Sequence, residues 1–174
     1  MPAATKCRPG RPEEAEALSA LCLRSKLHWG YDSNFMRLCE GVLRIDPAAI
    51  AEGRVFVVVN EPNDVPLGVA VIALRETDAE LTHLFVEPSA IGEGLGAALF
   101  LVAMEWTHER GARRLLIASD PNAKGFYERM GAMCVGGVPS ESIPGRSLPL
   151  LRYEQQVDLP RAQRENDEPP RAGH

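Results

Sequence analysis

A turn with three alternating glycines lies between a β-like run and a helix-like run, and it limits the fold more than any other feature. The turn spans residues 91–96 (IGEGLG), after the apolar run 81–86 and before 95–108, where apolar residues recur at helical spacing. Glycine adopts positive φ angles without strain, so the backbone N–H groups of the turn can converge at the helix N-terminus. Converging donors and the positive end of a helix dipole bind phosphate. The sequence therefore predicts a phosphate-binding turn.

The composition is that of an ordinary globular protein. The chain has 174 residues, 45% of them hydrophobic, and a formal net charge of −5. Because there is no basic run, we expect no nucleic-acid partner and no attachment to an anionic membrane. No apolar stretch approaches about 20 residues, and the first residues lack the apolar core of a signal peptide. These features predict a cytoplasmic protein with one domain at 1–157 and a charged, proline-rich, disordered tail at 158–174.

The cysteine pattern argues against disulfides and against a metal site. The four cysteines are Cys7, Cys22, Cys39 and Cys134, with no C-x-x-C pair, and no histidines have zinc-ligand spacing. Cys22 and Cys39 fall on the apolar stripes of two predicted helices. We therefore expect them to be buried, reduced thiols.

Periodicity and turn residues predict a chain that alternates between helices and strands. The predicted helices run through Leu18–Ser25, Phe35–Leu43, 47–52, 95–108 and, from an Asp120-Pro121 start, to Gly131; the predicted strands are 4–8, 55–59, 67–74, 79–87, 115–118, 132–138 and 148–157. Asp46 and Asp120 each precede a proline, which is typical of an N-cap followed by the first helical residue. Trp106 lies on the apolar stripe of the helix after the glycine turn, so we expect it in the core.

Two common phosphate motifs do not fit the glycine turn. A nucleotide P-loop needs Gly-Lys-Ser/Thr, but Gly96 is followed by two alanines. A Rossmann fingerprint needs G-x-G-x-x-G inside a βαβ unit, whereas this turn reads G-x-G-x-G and follows a predicted antiparallel hairpin. Nucleotide binding is therefore disfavoured.

The element order and two motifs resemble the GNAT (GCN5-related N-acetyltransferase) family. The window 91–96 is similar to the family's R/Q-x-x-G-x-G/A motif, and 120–132 (DPNAKGFYERMGA) is similar to its N-x-x-A-x-x-F/L-Y-x-x-x-G-F element. The resemblance covers 4–157 and is strongest over 79–137. It implies an α/β fold, with a mostly antiparallel mixed sheet flanked by helices and a splayed central strand pair.

The resemblance also implies acetyl-CoA as the co-substrate and no metal. The pyrophosphate would bind the amides of the glycine turn, and the pantetheine would pair with the strand that ends at Val86. The coenzyme-binding residues implied in this way are Leu84, Phe85, Val86, Ile91, Gly92, Glu93, Gly94, Leu95, Gly96, Ala97, Asp120, Ala123 and Phe126. The chain departs from the family at Ile91, where Arg or Gln is usual, and at Asp120, where Asn is usual. Asp120 is either a helix N-cap or a ligand-binding residue.

Three residues are candidates for the chemistry. Tyr127 occupies the family's tyrosine position and could donate a proton to the departing thiolate; the alternative is a tyrosine packed in the core. Glu80 could act as a base through water, and His83 is the second choice; the alternative for Glu80 is a solvated side chain. Strand alternation predicts Glu80, Thr82, Leu84 and Val86 on one face of the strand and Leu81, His83 and Phe85 on the other.

The acceptor side of the site is predicted in two loops. The connection 25–32 contains His28, Trp29 and Tyr31, which could bind an acceptor, although Trp29 could instead plug the core between the helices. Arg146, in the loop 139–146, could bind a carboxylate or a phosphate. The predicted function is acetyl transfer to an amine of a small molecule or peptide by direct attack. The alternative is a non-catalytic acyl-CoA-binding sensor or assembly module, and a homodimer is possible.

Overall fold

The computed structural model describes residues 3–155, which form one twisted sheet with helices on both faces. The strands are β1 (Thr5–Pro9), β2 (Val55–Asn60), β3 (Val65–Arg75), β4 (Asp78–Val86), β5 (Arg114–Ala118), β6 (Met133–Pro139) and β7 (Ser147–Glu154). The helices are α1 (Ala15–Leu27), α2 (Ser33–Leu43), α3 (Pro47–Ala51), α4 (Leu95–Glu109) and α5 (Lys124–Arg129), with short 3₁₀ turns at Pro12–Glu14 and Pro88–Ala90. The predicted tail at 158–174 lies outside the described residues.

The sheet confirms the predicted mixed, mostly antiparallel architecture. Its strand order is β1-β2-β3-β4-β5-β7-β6, and only the β4–β5 pair is parallel. These two strands pair at just two positions, Ala79 with Leu115 and Glu80 with Leu116. Beyond them the strands separate toward their C-terminal ends, so the predicted splay at the centre of the sheet is confirmed.

The sheet separates two hydrophobic cores. Alternation along β2 directs Val58 toward α4 and its neighbours Val57 and Val59 toward α1–α3. On the α4 side, Leu99 and Phe100 are fully buried. Trp106 is 5% exposed, as predicted for a core residue, and its indole N–H donates to the Gly53 carbonyl at 3.1 Å.

The helices on the other face confirm part of the predicted pattern. Cys22 and Cys39 are buried at 0% and 3% exposure, and burial raises the pKa of the Cys22 thiol to about 12. Asp46 caps α3 as predicted, since its carboxylate accepts from the Ala48 N–H at 2.8 Å. The apolar stripe of α2 is only partly buried, because Leu38 and Val42 are 42% and 40% exposed.

The second Asp-Pro pair does not begin a helix, so that prediction is wrong. The Asp120 carboxylate accepts from the Asn122 N–H at 2.9 Å and closes a turn, while α5 starts at Lys124 with Ala123 as its N-cap. The carboxylate also accepts hydrogen bonds from side chains of α1 and of the connection that follows it. Asp120 therefore lies outside the helix and has tertiary partners that an N-cap does not require.

A β-bulge in β4 overturns the predicted alternation of its side chains. Val71 pairs with His83 and Ile72 with Leu81, so Thr82 is an extra residue between them. An extra residue moves every later side chain to the opposite face. Leu81 therefore shares the α4 side with Leu84 and Val86, whereas Phe85 packs against the α1–α3 core.

In the described range, none of the helices has both the length and the apolar character that crossing a bilayer requires.

Two leucines of α4 provide a matched test of the core. Leu99 is 0% exposed and Leu101 is 56% exposed. Leu99→Ala removes buried methyl groups and leaves a cavity, so we expect the free energy of unfolding to fall by about 2–5 kcal/mol. Leu101→Ala should change it by no more than about 0.5 kcal/mol. Urea unfolding of both variants measures the difference, and equal losses would contradict this assignment of the core.

Candidate active site

A cavity of about 510 Å³ occupies the opening between β4 and β5. The C-terminal half of β4, the glycine turn, the end of β5, one face of α5 and the end of α1 line it. The coenzyme-binding residues predicted from the sequence all line this cavity except Glu93, which is exposed. The cavity therefore brings together predicted coenzyme-binding residues that lie up to 42 positions apart in the chain, from Leu84 to Phe126.

The glycine turn presents unpaired N–H groups to the cavity. Gly92 and Gly94 have φ angles of +89° and +80°, which favour glycine over residues with a side chain. Gly94 is the N-cap of α4 and provides no side-chain cap. The N–H groups of Leu95, Gly96 and Ala97 are therefore open donors within residues 3–155, because the first turn of a helix has no internal acceptors for them. This end of α4 suits an anion.

The third glycine serves packing rather than turn geometry. A Cβ on Gly96 would lie 3.3 Å from the Phe126 ring, which is closer than ordinary van der Waals contact. Phe126 of α5 lies three residues after the N-cap Ala123, and both line the cavity. Gly96 thus allows α5 to approach the start of α4 and form one cavity wall.

The splay leaves one edge of β4 unpaired beside the cavity. Leu84, Phe85 and Val86 pair with β3 on one side, but their register with β5 ended at Glu80. Within the described chain, this edge has no strand opposite it. It therefore offers backbone N–H and C=O groups to an extended ligand.

Tyr127 lies in the cavity wall and is 6% exposed. Its ring packs against Phe126 and Phe100, with centroid distances of 5.1 and 6.0 Å. Burial raises the pKa of the phenol, and the nearby Asp120 carboxylate raises it further. The hydroxyl is therefore protonated at neutral pH, and it has no hydrogen-bond partner among residues 3–155.

Glu80 and His83 do not line the cavity. Glu80 forms an ion pair with Arg75 at 2.8 Å. His83 Nε2 donates to the Val42 carbonyl at 2.9 Å, and its Nδ1 lies 3.0 Å from Thr82 Oγ1. Burial lowers the pKa of this imidazole, so it is neutral at pH 7 with both nitrogens already hydrogen-bonded.

A polar cluster that the sequence did not predict surrounds Asp120. Lys26 forms an ion pair with the Asp120 carboxylate, and Tyr31 donates its hydroxyl to it at 2.9 Å. Arg146 donates to Tyr31 Oη at 2.8 Å, and its Nη2 lies 3.8 Å from the Asp120 carboxylate. We call these four residues the Asp120 cluster. It joins α1, the α1–α2 connection and the β6–β7 loop to the end of β5.

The cluster includes two of the predicted acceptor residues, Tyr31 and Arg146. Tyr31 and Arg146 are bound to each other and to Asp120, and Tyr31 also stacks on Phe35 at 4.0 Å. Their polar groups thus hold loops together. Trp29, by contrast, is 46% exposed and lines the cavity, so the alternative of a core plug is wrong. His28 is exposed and packs edge-on against Trp29 at 5.7 Å.

The cluster gives a prediction about pH. Burial opposes ionisation of Asp120, but hydrogen bonds from Lys26, the Asn122 N–H and Tyr31 outweigh it and hold the pKa of the carboxyl below its usual range. A lowered carboxyl pKa stabilises the fold above the unfolded-state pKa, and this contribution is lost as the pH falls through the folded-state value. The stability advantage over Asp120→Asn should therefore be full near about pH 6 and shrink below about pH 4. Urea unfolding across this range measures it, and a constant difference would contradict the assignment.

Comparison with known proteins agrees with this geometry. A family model described as an acetyltransferase (GNAT) domain matches residues 45–140. A relative from Bacillus subtilis (strain 168), provisionally named a ribosomal protein bS18-alanine N-acetyltransferase, is 38% identical over 64 residues. The aligned segment covers 35% of this chain and 42% of that protein.

Solved structures share the fold over nearly all of their length. A GCN5-related N-acetyltransferase (Aminotransferase, Class-II) from Rhodopseudomonas palustris has a TM-score of 0.70 at 22% identity, covering 89% of this chain and 99% of that one. The PaiA N-acetyltransferase from Thermoplasma acidophilum, in complex with coenzyme A, has a TM-score of 0.69 at 12% identity, covering 87% and 99%. Because the family model spans more than half of the sequence, the chain belongs to the GNAT acetyltransferase family.

Proposed function

We propose that the protein is an N-acetyltransferase that moves an acetyl group from acetyl-CoA to an amine of a small-molecule or peptide acceptor. One observation carries the proposal. The cavity between the splayed strands runs from the open N–H groups of the glycine turn, along the free edge of β4, to Tyr127. It thus combines an anion site, a site for an extended chain and a proton donor in one space.

The described residues fit acetyl-CoA. Leu95, Gly96 and Ala97 would bind its pyrophosphate through backbone N–H groups, and residues 84–86 would pair with its pantetheine. The PaiA relative, which has the same fold, contains coenzyme A. When bound, acetyl-CoA supplies the activated acyl group. The unpaired N–H groups of β4 would then stabilise the negative charge that develops on the acyl oxygen.

Tyr127 and the cysteines favour direct attack by the acceptor amine. The protonated Tyr127 phenol can donate to the departing thiolate. None of the four cysteines lines the cavity, and the Cys22 thiol, with a pKa of about 12, stays protonated. Within residues 3–155, the cavity therefore contains no cysteine that could carry the acyl group covalently.

Of the two predicted bases, Glu80 is the one that we propose, acting through water. Its carboxylate side chain is 32% exposed and uses only one oxygen in its ion pair with Arg75. His83 has no free ring nitrogen. Glu80 also precedes the bulge at Thr82, a residue that lines the cavity.

A peptide amine is the acceptor class with outside support. The Bacillus subtilis relative is provisionally named for acetylation of an alanine in a ribosomal protein. The exposed ring of Trp29 at the cavity offers an apolar surface to a side chain or to a peptide backbone.

A thiol-release assay tests the activity. Purified full-length protein should release CoA from acetyl-CoA faster with at least one member of an amine panel (an alanine-initiated peptide, free amino acids, a polyamine) than without acceptor. CoA binding by calorimetry without turnover on any amine would favour the acyl-CoA sensor. ATP affinity equal to that for CoA would contradict the coenzyme assignment.

Tyr127→Phe tests the proton donor. We expect kcat to fall by about 10²-fold or more, because the thiolate loses its acid, while the KM for acetyl-CoA stays close to the original value. The midpoint of thermal unfolding serves as the control, since the hydroxyl has no partner among the described residues and its loss should leave packing intact. Unchanged kcat between pH 6 and 9 would exclude Tyr127 as the acid.

A further inference from the structure

The glycine turn contains no cation to oppose the charge of a phosphate ligand. Ile91 stands where the family usually has Arg or Gln, and its side chain is 45% exposed at the cavity. Glu93 adds a negative charge inside the turn. A helix N-terminus supplies only about half an elementary charge, whereas coenzyme A carries a pyrophosphate and a 3′-phosphate. A cationic side chain elsewhere in the cavity wall would therefore strengthen the binding of such a ligand.

The cavity wall has two basic side chains among the described residues, Lys26 and Arg129. Lys26 is held by Asp120 in the Asp120 cluster. Arg129 forms no ion pair and no side-chain hydrogen bond with residues 3–155, and its side chain is exposed. Arg129 is thus the described cation of the wall that is available to a ligand.

The helix α5 places Arg129 on the same wall as the glycine turn. Arg129 lies three residues after Phe126 on α5, so the two side chains are neighbours on one helical face, and both line the cavity. Phe126 packs against Gly96 in the first turn of α4. Arg129 therefore lies about one helical turn beyond Phe126, the residue through which α5 contacts the start of α4.

We propose that Arg129 binds a phosphate group of coenzyme A and supplies the cationic contact that Ile91 cannot make. The inference rests on the proposed function, because it takes coenzyme A as the ligand. A guanidinium group matches a phosphate with two parallel hydrogen bonds and stays charged at every physiological pH. With Arg129, the charge that neutralises the ligand comes from α5, while the turn contributes backbone donors alone.

Calorimetric titration of coenzyme A into the full-length protein tests the proposal. Arg129→Gln should raise the Kd about tenfold or more, since a hydrogen-bonded charge pair is lost. Added NaCl should weaken binding more steeply in the parent than in this variant. Lys124→Gln is the matched control, because Lys124 lies on the same helix, pairs with Glu128 at 3.4 Å and does not line the cavity. Its Kd should match that of the parent.

Two further arms identify the phosphate and guard against a folding defect. If Arg129 binds the 3′-phosphate, parent and Arg129→Gln will have equal affinity for 3′-dephospho-CoA; if it binds the pyrophosphate, the difference will persist. Arg129→Lys keeps the charge and should recover part of the affinity, and Ile91→Arg should restore binding to Arg129→Gln.

The outcomes separate this inference from the proposed function. Equal Kd values for coenzyme A in the parent, Arg129→Gln and Arg129→Lys would overturn the role of Arg129 and leave the acetyltransferase proposal standing. A parent protein that binds no coenzyme A would overturn the proposed function, and the role of Arg129 with it.

Discussion

The early end of the pairing between β4 and β5 is the constraint on which the rest of the site depends. Two parallel strands that pair at only two positions leave backbone donors and acceptors unpaired for the remainder of their length. The gap persists because each strand is held on its other side, β4 by β3 and β5 by β7. The bulge at Thr82 lies just after the last shared position, so its stronger local twist helps to turn β4 away from β5.

The last turns of α1 span the open end of this gap. Arg24 makes two hydrogen bonds of 2.8 Å with Glu87, which follows β4, and Lys26 pairs with Asp120, which follows β5. Exposed ion pairs such as Arg24–Glu87 add little to stability. The two contacts matter for the geometry of the site. Because both come from α1, they set the distance between the end of β4 and the end of β5. The loops that border the cavity are then positioned relative to both strands.

Local signals in the sequence predicted most of the scaffold and most of the residues that line the cavity between β4 and β5. The glycine turn, α4 and the Phe126-Tyr127 element depend on spacing within a few residues, and the structure places them around one cavity. The two Asp-Pro pairs show the limit of such signals. Asp46 begins a helix, whereas Asp120 closes a turn and binds Lys26, 94 residues away in sequence. A cap depends on neighbours in the chain, but the partner of a half-buried carboxylate is decided by the fold.

The bulge in β4 escaped prediction for a similar reason. Thr82 and His83 are both polar residues that can be buried or exposed in a strand. Neither therefore indicates which side of β4 faces the core. The bulge is seen only in the pairing of β3 with β4. Val71 and Ile72 are adjacent in β3, but their partners His83 and Leu81 are separated by Thr82. Without the bulge, His83 would lie on the α4 side together with Leu81. With the bulge, His83 reaches the Val42 carbonyl of α2. One extra residue thus decides which side chains face the cavity.

The apolar packing that stabilises the α4-side core also keeps the Tyr127 phenol protonated. Phe100 and Phe126 surround its ring, and the burial they impose raises the pKa of the phenol. A tyrosine in this position need not be tuned by a dedicated partner in order to stay protonated. The glycine turn likewise needs no dedicated side chain, because its hydrogen-bond donors are backbone N–H groups. They are present whether residue 91 is isoleucine or the arginine or glutamine usual in the family. Glycine is favoured at 92 and 94 by the backbone conformation and at 96 by the close approach of α5, whereas Phe126, Tyr127 and Arg129 of α5 line the cavity with side chains.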